Sequence, residues 1–183
     1  MLDSFRSLCI VLSSGSLLDR RYGQLIDQCD IVVRFNSAPK TYAEKLPFKE
    51  FAGMKETHRL IWHDESVPEN VTTMWAGLGS TRPNTLNIVV YQADCIKMLR
   101  EFTRAGSHCR SGLLVGLWGI EIKFDIINVF GFFQNATRPH HYFDTNPSAL
   151  TNEAMQARHK EHDYDGETEV WMKMTQRARF AFY

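Results

Sequence analysis

Short apolar runs rich in β-branched residues recur along the chain, separated by longer amphipathic stretches. The runs are Leu8-Cys9-Ile10-Val11-Leu12, Asp30-Ile31-Val32-Val33-Arg34-Phe35, Leu60-Ile61-Trp62, Asn87-Ile88-Val89-Val90-Tyr91 and Ile126-Ile127-Asn128-Val129-Phe130-Gly131-Phe132. Nearly continuous apolar positions suit strands buried on both faces, as in a parallel sheet covered by helices. Leu17, Leu18, Leu25 and Ile26 predict a short helix over 17–27. Ile96 to Phe102 is helical in character, and Gly112 to Lys123 is apolar enough for a buried helix. Pro68, Gly77, Gly79 and Pro83 mark an irregular middle section, read as a loop. The β-loop-α-β alternation predicts an α/β, single-domain Rossmann-like fold: a mostly parallel sheet with helices on both faces.

With 183 residues, one domain over 1–183 is the economical division. The 21 basic and 21 acidic side chains cancel, and no long block of one sign occurs, which argues against a nucleic-acid clamp or a polybasic membrane patch. No stretch approaches the ~20 apolar residues of a membrane-spanning helix, and Met1 to Arg6 lacks the basic-then-apolar pattern of a signal peptide. The chain therefore reads as soluble, without membrane contact of its own. Cys9, Cys29, Cys95 and Cys109 share no C-x-x-C spacing, which removes support for zinc ribbons and thioredoxin-type motifs. They are expected to be buried apolar fillers. Asn70-Val71-Thr72 and Asn135-Ala136-Thr137 fit the glycosylation sequon and point weakly to a secretory compartment.

Three segments have the composition of ligand-binding turns. Ser13-Ser14-Gly15-Ser16 follows the first run directly and precedes a helical stretch. Small residues there let backbone approach a ligand, and the N–H groups of a helix start suit a phosphate. The G-x-G-x-x-G spacing is absent, and a plain turn with a Ser N-cap fits the same residues. Arg110-Ser111-Gly112 opens the later helix and allows the same two readings. Asn36 ends the second run, where open α/β sheets bind ligands, and its amide can both donate to and accept from a nucleobase or sugar; a structural turn is the alternative. His141, in His140-His141-Tyr142-Phe143-Asp144, and His162, in His162-Asp163-Tyr164-Asp165-Gly166-Glu167, are candidate proton carriers near neutral pH, with Glu167 able to orient or charge-balance an imidazole; surface or core-satisfied histidines are the commoner alternative. Asp163-Tyr164-Asp165 also spells the D-x-D by which metal-dependent sugar transferases hold a divalent cation.

Taken in order, these segments resemble the sialyltransferase family, most of all the β-galactoside α-2,3-sialyltransferases. Cys9 to Leu17, Tyr22 to Asp27 and Val33 to Pro39 resemble the long sialyl motif, with its tail at Gly53-Met54-Lys55-Glu56-Thr57-His58-Arg59-Leu60. Ser111-Gly112 through Asp125 to Phe132 resembles the short motif, His140 to Asp144 with Asn146 to Ala149 the third, and His162 with Glu167 the very short one.

The resemblance implies a Rossmann-like fold of the GT-A-like variant and an inverting glycosyltransferase that moves sialic acid from CMP-sialic acid to a galactoside hydroxyl, α-2,3-linked, with no metal and no cofactor. The acceptor would be a galactose-terminated glycan of a glycoprotein or glycolipid, and the location the lumen of the Golgi apparatus. On these positions, Ser13, Ser14 and Asn36 would contact CMP, while Ser111 and Gly112 would lie near its ribose and the carboxylate-bearing sugar. His141 would donate to the leaving phosphate, and His162 would be the general base on the acceptor hydroxyl. Cys109 and Arg110 depart from the family pattern, and Phe124 stands roughly where the cysteine expected to pair with Cys9 would be. Two alternatives remain: a catalytically impaired or truncated relative that binds CMP or glycan without transfer, and a metal-dependent transferase using Asp163 and Asp165.

Overall fold

A computed structural model describes residues 6–36, 38–61, 73–76, 84–87, 110–133, 137–144 and 164–183. Its strands are β1 (Ser7–Val11), β2 (Ile31–Phe35), β3 (His58–Ile61), β4 (Thr73–Ala76), β5 (Asn84–Asn87), β6 (Ile126–Phe130) and β7 (Phe180–Phe182). They form one sheet in the order β5-β4-β3-β2-β1-β6-β7. Strands β3, β2, β1, β6 and β7 pair in parallel, and β4 and β5 add an antiparallel edge. The mostly parallel α/β fold expected from the apolar runs is the fold observed.

Side-chain alternation along the strands builds a core on each face. Leu8, Ile10, Val33, Phe35, Leu60, Ile127 and Val129 pack under α4 (Ser111–Ile122) and α5 (Tyr164–Met174). Cys9, Val11, Val32 and Phe130 point the other way, against Leu17, Ile26, Ala52 and Tyr142. On that second face lie α1 (Gly23–Gln28), α2 (Tyr42–Lys45) and α3 (Lys49–Ala52). The predicted helix over Gly112 to Lys123 is α4, and every residue from Gly112 to Gly119 is buried. Such a helix has no polar face because sheet and helix cover it all round. Its glycines permit this: a Cβ on Gly119 would stand 2.6 Å from Leu8 Cδ2, and one on Gly116 2.5 Å from Met174 Cε.

Three expectations need correction. The stretch 17–27 is not one helix but a 3-10 turn, Gly15–Asp19, then α1, with Arg20 extended between them. Leu17 and Ile26 are both fully buried in the same cluster. Residues nine apart stand on opposite sides of a helix with about 3.6 residues per turn, so only a break brings both inward. The middle section is not purely loop, because β4 and β5 lie within or beside it. Finally, Cys9 and Cys29 are buried but are not free fillers: they form a disulfide with Cα atoms 5.9 Å apart. Phe124 packs in the α4 layer, on the opposite face from Cys9.

His162, Asp163, Asn70, Asn135, Cys95, Cys109, Pro68, Gly77, Gly79, Pro83, Asn146 to Ala149, the apolar run after Asn87 and the stretch Ile96 to Phe102 lie outside the described residues. Among the described residues, no helix is long and apolar enough to cross a membrane.

Candidate active site

The chain runs outward from β1 to β2 to β3, then returns to place β6 on the other side of β1. In open α/β sheets the crevice beyond such a reversal, at the carboxyl ends of the strands, is the usual ligand site. Ser13 and Ser14 leave β1 at that point, with Leu12 N–H still donating to the Phe130 carbonyl at 3.0 Å. The Ser14 hydroxyl caps the 3-10 turn, accepting from Ser16 N–H at 3.2 Å. Structural capping and proximity to a ligand are therefore compatible at this serine.

The histidine segment is fastened directly to this turn. Tyr142 N–H donates to the Ser13 carbonyl at 2.9 Å, Gly15 N–H donates to the His140 carbonyl at 3.2 Å, and Ser14 forms an isolated antiparallel bridge with His141. Gly15 has to be glycine here, since a Cβ would stand 1.9 Å from the Pro139 carbonyl oxygen.

Asp144 orients the His141 ring. Its carboxylate accepts the His141 backbone N–H at 2.9 Å and lies 3.1 and 3.2 Å from Nδ1, while Phe143 stacks on the ring at 5.1 Å. With Nδ1 against the carboxylate, Nε2 is the ring nitrogen by which His141 could reach a ligand, as in other carboxylate-oriented imidazoles. The sequence alone assigns Asp144 no role; a carboxylate three positions after the histidine is the signal that points to it.

Beneath the loop, Tyr142 is buried against Arg34. The Arg34 guanidinium donates to the Ala52 carbonyl at 2.6 Å and to those of Lys55 and Gly53 at 3.1 and 3.2 Å. Burial pushes the Tyr142 hydroxyl above its ordinary pKa, with Arg34 opposing. Burial likewise lowers the Arg34 value, against the pull of Tyr142, Glu56 and Asp27.

Ser111 and Gly112 begin α4, whose amino end abuts the same strand end: a Cβ on Gly112 would stand 2.6 Å from Leu12 Cδ2. The first N–H groups of a helix have no intrahelical acceptor, which suits them to an anion. Arg110 occupies the N-cap position without a side-chain capping bond, and its guanidinium instead pairs with Glu167 in the first turn of α5. Glu167, read from sequence as a partner for an imidazole, is thus engaged by Arg110.

Asn36 closes the carboxyl end of β2 with φ 44°, a left-handed angle that asparagine tolerates better than most residues. Its side chain is exposed, and its N–H donates to the Leu60 carbonyl at 2.9 Å. The structure thus joins Ser13 and Ser14 to His141 by hydrogen bonds, seats Ser111 and Gly112 against the residue before Ser13, and sets Asn36 at the end of the adjacent strand.

The model of glycosyltransferase family 29 (sialyltransferase) matches residues 3–118, from before β1 into α4. The chain belongs to that family. It is similar to CMP-N-acetylneuraminate-beta-galactosamide-alpha-2,3-sialyltransferase 1 of Gallus gallus, 27% identical over 80% of this chain and 50% of the relative. The Mus musculus protein of the same name is 26% identical over 79% and 50%. This family 29 chain spans about half the length of the curated relatives it matches. In fold it resembles the crystal structure of a mammalian sialyltransferase in complex with Gal-beta-1-3GalNAc-ortho-nitrophenol, with TM-score 0.64, 18% identity, and coverage of 98% of this chain and 70% of the other.

Proposed function

We propose that the chain transfers sialic acid from CMP-sialic acid to a galactoside hydroxyl, with inversion at the anomeric carbon and without a metal ion. The observation that carries this reading is the fastening of the His141 loop to the Ser13-Ser14 turn at the reversal point of the sheet. Ser13, Ser14 and Asn36 bind the CMP portion of the donor. Ser111 and Gly112 face its ribose and the sugar carboxylate from the start of α4. His141, oriented by Asp144, donates from Nε2 to the phosphate as the bond to the anomeric carbon breaks. A donor set in place before the reaction is worth most where negative charge grows. His162 accepts the proton of the attacking hydroxyl, so the two imidazoles take opposite proton roles. The α-2,3 linkage follows the names of the relatives. Golgi lumenal placement follows the family, and the Cys9–Cys29 disulfide suits an oxidising compartment.

The test is incubation with CMP-sialic acid and a panel of galactosides in EDTA, read by product mass and linkage analysis. Sialylated product in EDTA supports the reading; transfer only on addition of a divalent cation supports the Asp163/Asp165 alternative. A second reading, donor binding without transfer, draws on the pairing of Glu167 with Arg110. It predicts CMP binding with no product under any condition.

A further inference from the structure

Strand β2 ends at Phe35, so its ladder does not extend to the residues that follow Asn36. Ala38 N–H turns back to the Phe35 carbonyl at 3.0 Å, and the carbonyls of the turn are gathered by Arg59, from within β3. Its Nη1 donates to the carbonyls of Asn36 at 2.8 Å and Ala38 at 2.6 Å, and Nη2 donates to that of Pro39 at 3.0 Å. The remaining donors go to Glu56: Nε to Oε1 at 2.6 Å and Nη2 to Oε2 at 2.7 Å. These five bonds use every N–H a guanidinium carries, so Arg59 acts through the loop and not on a ligand.

Glu56 also takes the Lys45 ammonium at 2.8 Å, and the side chains of all three are between 5 and 8% exposed. Buried charges of this kind are tolerated when each is paired and hydrogen-bonded. Here the pairing leaves one face of the guanidinium fork directed at three loop carbonyls. A lysine at 59 would keep the charge but lose the planar fork that reaches them together.

We propose that Arg59, braced by Glu56 and Lys45, is a positioning residue that sets the Asn36 loop for recognition of the donor's cytidine monophosphate. This rests on the assignment of Asn36 to the donor made above. The effect belongs to binding: donor KM rises while kcat at saturating donor stays near that of the unsubstituted protein.

The experiment is calorimetric titration of the full chain with CMP, for the unsubstituted protein, Arg59→Lys, Asn36→Ala and the double variant, with thermal unfolding of each. Arg59→Lys is expected to weaken CMP about tenfold, and the double variant to bind within about twofold of Asn36→Ala alone, the non-additivity of residues acting as one unit. Donor kinetics of Arg59→Lys supply the KM-against-kcat split, which a general loss of stability would not produce. Unchanged CMP affinity in Arg59→Lys, or losses that multiply in the double variant, overturns the proposal. Should Arg59→Lys fail to fold, Glu56→Gln takes its place in the same cycle, with the same two outcomes. Absence of CMP affinity in the unsubstituted protein removes the donor reading and this proposal with it, and is seen before any substitution is made.

Discussion

The Tyr142 backbone N–H donates to the Ser13 carbonyl at 2.9 Å. Two segments far apart in sequence are thereby one structural unit, with Gly15 at the closest approach, 1.9 Å from the Pro139 carbonyl oxygen for an added Cβ. Gly15→Ala must therefore push the histidine loop off the serine turn. The expected cost is about 1–3 kcal/mol in denaturant unfolding, as for other overpacked sites, together with weaker CMP binding. A neutral substitution would show that the two loops are not held together here.

Asp144 is expected to matter through His141. Asp144→Asn keeps the shape but removes the carboxylate that fixes Nδ1. Loss of such an orienting partner typically costs ten- to a hundredfold, and transfer by this variant is expected to fall by about that factor. Full activity in steady-state assays would exclude the orienting role.

The disulfide closes the connection from β1 to the end of α1, with a sequence separation of 20. Cross-links over loops of that size stabilise by about 3 kcal/mol. Peptide mapping without reductant should recover the Cys9–Cys29 link, and Cys9→Ala should lower unfolding stability by about that amount. Free thiols at both positions in protein from an oxidising compartment would contradict the pairing.

Stability should also fall on acidification, in two places. Burial lowers the pKa of His58, so the unfolded chain takes up a proton from about pH 6.5 downward while the native ring stays neutral. Stability is lost across the window between those two values. Burial alone would raise the Glu56 carboxyl, but hydrogen bonds from Arg59 and Lys45 outweigh it and hold the group below its ordinary range. Its contribution is present above the unfolded value of about 4.3 and disappears as pH falls through the lower native one. Urea unfolding across a pH series should show both losses, and Glu56→Gln should flatten the more acidic limb. A curve level down to about pH 4 would contradict the His58 assignment.

The central strands and α4 were legible because residues covered on both sides are apolar almost without interruption, as in Leu8 to Leu12 and Gly112 to Gly119. The edges were not. Strands β4 and β5 are short and carry Thr73, Asn84, Thr85 and Asn87, and β7 is only Phe180-Ala181-Phe182. Helix α5 buries Val170, Trp171 and Met174, a helical spacing present in the sequence but overshadowed by the acidic residues before it. At the site, the residue types of Ser13, Ser14, Asn36 and His141 could be read as chemistry. Their joining depends on a register between distant segments, Ser14 with His141, that no local pattern encodes. The fork of Arg59 and the pairing of Cys9 with Cys29 were hidden for the same reason: each depends on where a second segment returns.

In the proposed mechanism, His162 deprotonates the acceptor hydroxyl while CMP departs toward His141. Its most direct test is His162→Ala, assayed in parallel for sialic acid transfer and for CMP affinity. Transfer should fall at least about a hundredfold, the usual worth of a positioned base, with the CMP dissociation constant unchanged. Undiminished turnover in that variant, or loss of CMP binding together with transfer, would contradict it.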